Sequence, residues 1–250
     1  MKHLPLINLS YWILIIIANT IGETAGDLIS QTFELGYGAG TLVLFLILTI
    51  LVIMSIYSKV QILLLYWAII ILTSTTGTTI SDFLSRTFSV EYLGVSQEIG
   101  YIYASIFLFF VLIFTLGFWK WYSNVSTTEA GLSKSTEFLY WMTILTSSTL
   151  GTAFGDVLGH DTPLGFDGGT LLLLGFLGVL VIIVYLTNIS REILYWFAII
   201  IIHPIGATMG DYFTKPEGLD LGNVNATLIL ALLLCLVIGI EKQARQELLK

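Results

Sequence analysis

The chain has 250 residues, of which 56% are hydrophobic and only 11% are charged. An ordinary soluble domain carries about 25% charged residues, so this composition indicates an integral membrane protein. The net charge of −7 excludes a basic surface for nucleic acid, and the single cysteine, Cys235, excludes an intrachain disulfide and a thiol-rich metal site.

Eight apolar segments follow one another along the chain, and crossing a bilayer takes about 20 residues. They lie near residues 11–31, 41–57, 62–83, 101–119, 138–158, 170–187, 193–213 and 226–240. The even-numbered segments are short, which predicts little tilt or locally thinned lipid. The pattern therefore predicts an all-α integral membrane protein with eight transmembrane helices and the lipid bilayer as its surroundings.

A Tyr-Trp pair marks an internal repeat, at Tyr11-Trp12, Tyr66-Trp67, Tyr140-Trp141 and Tyr195-Trp196. The steps of 55, 74 and 55 residues predict two pseudo-symmetric halves, each holding two two-helix units. Because each unit has an even number of spans, the four repeats are expected to be parallel around an axis along the membrane normal. The predicted boundaries are residues 1–119 for the first half, 120–138 for a cytoplasmic linker and 139–250 for the second half.

Small residues stand ten and fourteen positions after each Trp of these pairs. Small residues four apart allow two membrane helices to approach closely, and we expect the odd-numbered helices to pack through them as an inner layer. The predicted packing residues are Gly22 and Gly26, Gly77 and Ser81, Gly151 and Gly155, and Gly206 and Gly210.

An aspartate stands fifteen positions after each of the four Trp residues, about 22 Å along a helix. Residues at i, i+4 and i+8 share a helix face. The resulting polar stripes are Asn19, Glu23 and Asp27; Ser74, Thr78 and Asp82; Ser148, Thr152 and Asp156; and His203, Ala207 and Asp211. Ionisable residues at bilayer depth cost about 2.5–3.5 kcal/mol each and point to function, although the acids could also serve only as bonds between helices.

The predicted spans contain no Lys or Arg to neutralise these acids, so we expect the acids to take up protons, hold a cation or contact water. The candidate ion-binding residues are Glu23, Asp27, Asp82, Asp156, Asp211, Asn19, Thr78, Thr152 and His203. Hard oxygen ligands suit Mg²⁺, Ca²⁺ or Mn²⁺, and one histidine favours Mn²⁺ or a later transition metal. Glu23 and Asp27 are the candidate metal ligands. No resident cofactor is indicated, and a divalent cation is expected only as a substrate.

The sequence carries no recognisable enzyme motif. The chain has no phosphate-binding loop, no His-Glu-x-x-His helix and no Gly-x-Ser-x-Gly turn. It also lacks the paired motifs of intramembrane aspartyl proteases. The sequence therefore predicts a protein that is not an enzyme.

The Tyr-Trp pair and the segment Gly22-Glu23-Thr24-Ala25-Gly26-Asp27, with their repeated counterparts, resemble a family of bacterial membrane proteins. This family has four tandem two-helix repeats of unknown function, and its members are often labelled uncharacterised membrane-anchored proteins. The resemblance covers residues 11–240 and implies a bacterial inner membrane. The same segment is also similar to the Glu-x-Gly-Asp motif of calcium and manganese cation/proton exchangers, with one extra residue in the spacing and without the following Lys or Arg.

Orientation follows from the basic residues, since cytoplasmic loops are rich in Lys and Arg. Of the ten Lys and Arg residues, eight lie at the termini and in the even-to-odd connections: Lys2, Lys59, Lys120, Lys134, Arg191, Lys242, Arg245 and Lys250. Both termini are therefore expected in the cytoplasm. The tryptophans fall at the same helix ends and suggest a belt at the membrane interface.

Three functions fit the sequence: proton-coupled export of a divalent cation such as Mn²⁺, a non-transporting scaffold or accessory subunit, and a passive cation channel.

Overall fold

The structure, a computed structural model, describes residues 7–58, 60, 62–89, 96–122 and 133–248, without the side chains of residues 97, 98 and 242–248. These residues form eight α-helices and one short π-helix. The α-helices are α1 (Leu9–Asp27), α2 (Tyr37–Tyr57), α3 (Leu63–Phe88), α4 (Gln97–Tyr122), α5 (Lys134–His160), α6 (Gly165–Leu186), α7 (Arg191–Thr214) and α8 (Gly222–Leu248), and the π-helix Leu28–Thr32 directly follows α1.

The eight predicted helices are confirmed, but the expectation of short even-numbered helices is wrong. Helices α2, α4, α6 and α8 have 21, 26, 22 and 27 residues, because glycine and polar residues at their ends remain helical. Helix α7 also continues through Pro204 without a break. Residues 123–132 of the predicted linker lie outside the described residues, as do Lys2, Lys59 and Lys250 of the orientation argument.

The four odd-numbered helices form an inner bundle in which α1 packs on α3, α3 on α5, α5 on α7 and α7 on α1. The even-numbered helices surround this bundle. Each packs chiefly on the first helix of the following unit: α2 on α3, α4 on α5, α6 on α7 and α8 on α1. The four units therefore interlock in a closed ring, and no unit could bury its inner face alone.

The exterior of the ring is strongly apolar. Of the helices in the described ranges, seven are long and apolar enough to cross a membrane, and the exception is α5. Helix α5 has 27 residues but carries a run of buried polar residues, including Thr146, Ser147, Ser148 and Thr149, which lower its hydropathy. Only 11% of the apolar part of α6 is buried, against 72% for α1, so the outer helices present apolar surface outward.

Small residues set the distance between neighbouring inner helices. A Cβ added to Gly22 would lie 2.2 Å from Cβ of Ser74, and one added to Gly206 would lie 2.5 Å from Cβ of Asn19. The equivalent pairs are Gly77 with Ser148 and Gly151 with His203. All four interfaces thus have the same register, which places the four aspartates, five residues further along each helix, at one level.

Candidate functional site

The inner bundle has two chemically different ends. The odd-numbered helices begin at what we call the tyrosine end and finish at what we call the acidic end. Residues one helical turn apart on the inward face of each helix form successive layers along the axis between these ends.

Glu23 lies inside the bundle, about one turn from the acidic end of α1. Its side chain is 4% exposed. Its Oε2 accepts hydrogen bonds from Oγ1 of Thr78 on α3 and Oγ1 of Thr152 on α5, both at 2.9 Å, and these two hydroxyls are 3.3 Å apart. Three helices therefore converge on one carboxylate oxygen. The fourth helix contributes Ala207, against which Gly155 packs.

One turn nearer the tyrosine end lies a layer of neutral polar groups. The amide nitrogen of Asn19 donates to the Ile15 carbonyl at 2.8 Å, whereas its Oδ1 is buried and has no hydrogen-bond partner in the described part of the chain. Ser74 donates to the Asn19 carbonyl at 3.1 Å. Nδ1 of His203 lies 2.8 Å from Oγ of Ser147. The layer thus offers an unpaired amide oxygen one turn from Glu23.

The other predicted packing positions lie at the same interfaces. A Cβ on Gly26 would lie 2.8 Å from Thr78, and one on Gly210 would lie 2.7 Å from Glu23. Ser81, which replaces glycine in the second unit, is fully buried, and its hydroxyl has no partner among the described residues. The backbones of neighbouring inner helices are therefore close together where the polar stripes face one another.

The four aspartates form an acid ring, defined as Asp27, Asp82, Asp156 and Asp211. They are buried except for Asp82, which is partly exposed, and they lie within Coulombic range of one another. A second polar ring follows one turn later, nineteen positions after each Trp, at Gln31, Arg86, His160 and Lys215.

The residues of this second ring reach back to the acids. Nζ of Lys215 lies 2.8 Å from Oδ1 of Asp211, and Nε2 of Gln31 donates to Oδ1 of Asp27. Nδ1 of His160 is 3.9 Å from Oδ1 of Asp156. Arg86 instead donates to the Tyr37 hydroxyl at 2.8 Å and stacks on its ring.

The expectation that no base neutralises the acids is wrong for Asp211. Lys215 is the first residue after α7, outside the predicted span, and its side chain folds back one turn. Burial alone would lower the pKa of Lys215, but the carboxylates of Asp211, Asp27 and Asp156 raise it well above its ordinary value. Lys215 is therefore an ammonium that belongs to the acid ring. In the sequence, Lys215 is identifiable by its position, since it stands nineteen residues after Trp196 and one helical turn after Asp211.

The acidic end opens into a cavity of about 480 Å³ between the ends of α1 and α7 and the start of α8. Asp27, Gln31 and Lys215 line it, together with Asn223 and Asn225. The cavity connects part of the acid ring with the outside of the protein.

At the tyrosine end, four phenol groups form a closed ring, which we call the tyrosine ring. The hydroxyls of Tyr11, Tyr66, Tyr140 and Tyr195 are joined in a cycle by hydrogen bonds of 2.9, 3.3, 2.9 and 3.1 Å. The expectation of a Trp belt at a membrane interface is wrong for most of these tryptophans. Trp67, Trp119, Trp141 and Trp196 are buried, and Trp67 and Trp141 pack against the tyrosine of the preceding unit.

No cluster of three or more His, Cys, Asp or Glu side chains able to hold a metal ion occurs among the described residues. Glu23 and Asp27, the predicted metal ligands, have separate hydrogen-bond partners. The inner site instead combines one carboxylate with the neutral oxygens of Asn19, Thr78 and Thr152, and a hydroxyl can donate to the carboxylate or present a lone pair to a cation.

Comparison with known proteins gave one match. A repeat family described as "Repeat of Unknown Function (DUF347)" matches the chain four times, at residues 10–61, 65–124, 139–190 and 194–246. These matches confirm the four tandem units. No curated protein and no solved structure matches the chain.

Proposed function

The chain belongs to the DUF347 repeat family, and because that description names no activity, we propose from the chemistry of the site that the protein carries a small inorganic cation across a membrane in exchange for protons. Glu23 is the proposed shared binding group, occupied by either a proton or the cation. The acid ring collects cations at the acidic end.

The observation that carries this proposal is the surroundings of Glu23. It is the one acid of its layer, it is buried, and its hydrogen-bond donors are two neutral hydroxyls. A buried carboxylate without a positive partner is strongly unfavourable, so it binds a proton or a cation. Contact between helices does not require a carboxylate at this position, since threonine occupies the equivalent position in two other units.

The oxygen atoms around Glu23 support a hard cation. Asn19 Oδ1, Thr78 Oγ1 and Thr152 Oγ1 lie on the inward faces of three helices at or next to the Glu23 layer. Carboxylate, amide and hydroxyl oxygens are ligands for hard cations such as Mg²⁺, Ca²⁺ and Mn²⁺. One carboxylate with neutral oxygens also suits a single positive charge, so Mn²⁺ and Na⁺ are the two cations to compare first.

The membrane setting is part of the proposal. We propose that all eight helices span a bacterial inner membrane, with both termini cytoplasmic and residues 1–119 and 139–250 as two pseudo-symmetric halves. The apolar outward faces of the helices support the membrane spans, and the distribution of Lys and Arg supports the orientation of the termini. Helix α5 can cross despite its polarity, because the ring shields its Ser and Thr residues from lipid.

The test is cation flux in vesicles containing the purified protein, with an imposed pH gradient. Glu23→Gln keeps the shape and hydrogen-bonding capacity of the side chain and removes only its charge. We expect parent protein to exchange protons for Mn²⁺ or Na⁺, Glu23→Gln and Asp27→Asn to abolish that exchange, and Asp82→Asn to reduce it less. Equal flux in parent and Glu23→Gln for every cation would refute the proposal.

The second candidate is a non-transporting scaffold, and one observation favours it. Three of the four aspartates have a polar or basic partner one turn later, which is also what a purely structural ring would show. The same variants separate the two functions. In a scaffold, Glu23→Gln relieves a buried charge, so it leaves stability unchanged or raised and no flux is seen in any variant.

A further inference from the structure

We propose that the tyrosine ring, together with a ring of isoleucines directly beneath it, is a closed gate that prevents uncoupled leakage of ions along the bundle axis. The isoleucine ring consists of Ile15, Ile70, Ile144 and Ile199, each three residues after the Trp of its unit. The cargo of this pathway rests on the proposed function, but the gate itself is argued from the packing alone.

The tyrosine ring closes the axis with directed bonds. Each of the four hydroxyls bonds to two neighbours, so the four donors and four acceptors of the cycle satisfy one another. The four side chains are between 0% and 5% exposed. An ion passing this point must separate the phenols and break hydrogen bonds that are shared by all four units.

The isoleucine ring adds a layer without polar atoms. Its members lie one turn from the tyrosines on one side and one turn from Asn19, Ser74, Ser148 and His203 on the other, so they share the inward face. They are between 1% and 3% exposed and belong to the same buried cluster as the tyrosines. An apolar constriction blocks ions by excluding water.

The two ends of the bundle are therefore not equivalent. From the acidic end, the axis presents the acid ring, then Glu23 with its threonines, then the neutral polar layer. Beyond that layer, among the described residues, the isoleucine and tyrosine layers follow towards the opposite end. The structure assigns entry to the acidic end and closure to the tyrosine end, so a substrate at Glu23 can exchange with one side only.

The experiment measures passive proton leak into vesicles that contain the purified protein and a trapped pH-sensitive dye, driven by a potassium diffusion potential. The test variant is the double substitution Ile144→Ser and Ile199→Ser, which places hydroxyls in the apolar layer. The matched control is Ile205→Ser, because Ile205 is equally buried but packs beside Leu158 and Leu173 in a separate cluster. If the serine pair fails to fold, Ile144→Ala with Ile199→Ala replaces it.

We expect the double variant to raise the leak at least about tenfold over the parent and the Ile205→Ser control. A second variant, Tyr140→Phe, removes two hydrogen bonds of the tyrosine ring and is expected to raise the leak less, because the isoleucine layer remains. Leak at the parent rate in the folded double variant would overturn the gate. A large leak in the parent itself would also overturn it and would indicate a passive channel.

The outcome for the gate is separable from that for the proposed function. If the parent moves no cation in exchange for protons but the isoleucine pair leaks, the gate stands and the transport proposal fails. If the parent exchanges cations and the isoleucine pair does not leak, the gate fails and transport stands.

Discussion

Gly151→Ala tests whether helix contact through glycine holds the ring together. The added Cβ would lie 2.4 Å from Cβ of His203, and 2.8 and 2.9 Å from backbone atoms of His203 and Pro204. Ordinary contact between carbon atoms is about 3.5–4.0 Å, so α5 and α7 must separate by about 1 Å. Backbone atoms cannot rotate away, and the neighbouring helices of the ring resist the movement.

The matched control is Gly178→Ala on α6, where an added Cβ meets no atom within 4 Å. Overpacking costs about 1–3 kcal/mol. Alanine gains up to about 1 kcal/mol of helix propensity over glycine in both variants. The difference in stability between the two variants is therefore about 1–3 kcal/mol, which corresponds to about 2–12 °C in midpoint temperature for a chain of this size.

The assay is thermal unfolding in detergent, followed by tryptophan fluorescence and by size-exclusion chromatography of heated samples. Gly178→Ala is expected to unfold at or slightly above the parent temperature, and Gly151→Ala clearly below it. If the two variants unfold at the same temperature, the close approach at Gly151 does not hold the inner helices in place.

Three further predictions concern the site and its orientation. Thr152→Val removes one of the two donors to the Glu23 carboxylate and should slow cation exchange, measured as flux in vesicles, by about ten- to a hundredfold, since a hydrogen bond to a charged group contributes about 1.5–3 kcal/mol. Lys215→Met leaves Asp211 unpaired and should lower the unfolding temperature. Because the pKa of Lys215 is raised in the folded protein, its contribution to stability is complete below the ordinary lysine pKa and is lost only as pH rises through the raised pKa. The difference in unfolding temperature between parent and variant should therefore not change between pH 7 and 10 in thermal melts. In a variant lacking the native cysteine, a cysteine at position 167 should react with an impermeant reagent from outside the cell, and one at position 134 should not; the reverse pattern would invert the orientation.

The number of helices and the register of the repeat could be predicted because they depend on local pattern. The fixed distance from Trp12 to Gly22 and Asp27 recurs in every unit, and the structure places equivalent residues at equivalent contacts. The convergence of Thr78 and Thr152 on Glu23 follows from the same register, since the three residues share one offset from their tryptophans.

Features that depend on packing between units could not be predicted in this way. The repeat shows what each unit contains, but nothing in it shows that α2 packs on α3 of the following unit. The sequence predicts the tryptophans at a membrane interface because such residues are common there, whereas the ring buries Trp67 and Trp141 between units. The apolar segments do not predict the role of Lys215, because it lies beyond the seventh segment and reaches the acids only by folding back.

The most direct test of the central claim is the number of protons released when a cation binds. Calorimetric titration of the purified protein with MnCl₂ or NaCl, in buffers of different ionisation enthalpy, measures this number. If Glu23 is shared between a proton and the cation, the parent should release about one proton per bound cation, and Glu23→Gln should either bind neither cation or bind it without releasing that proton. Binding with the same proton release in both proteins, or no binding of either cation by the parent, would contradict the claim.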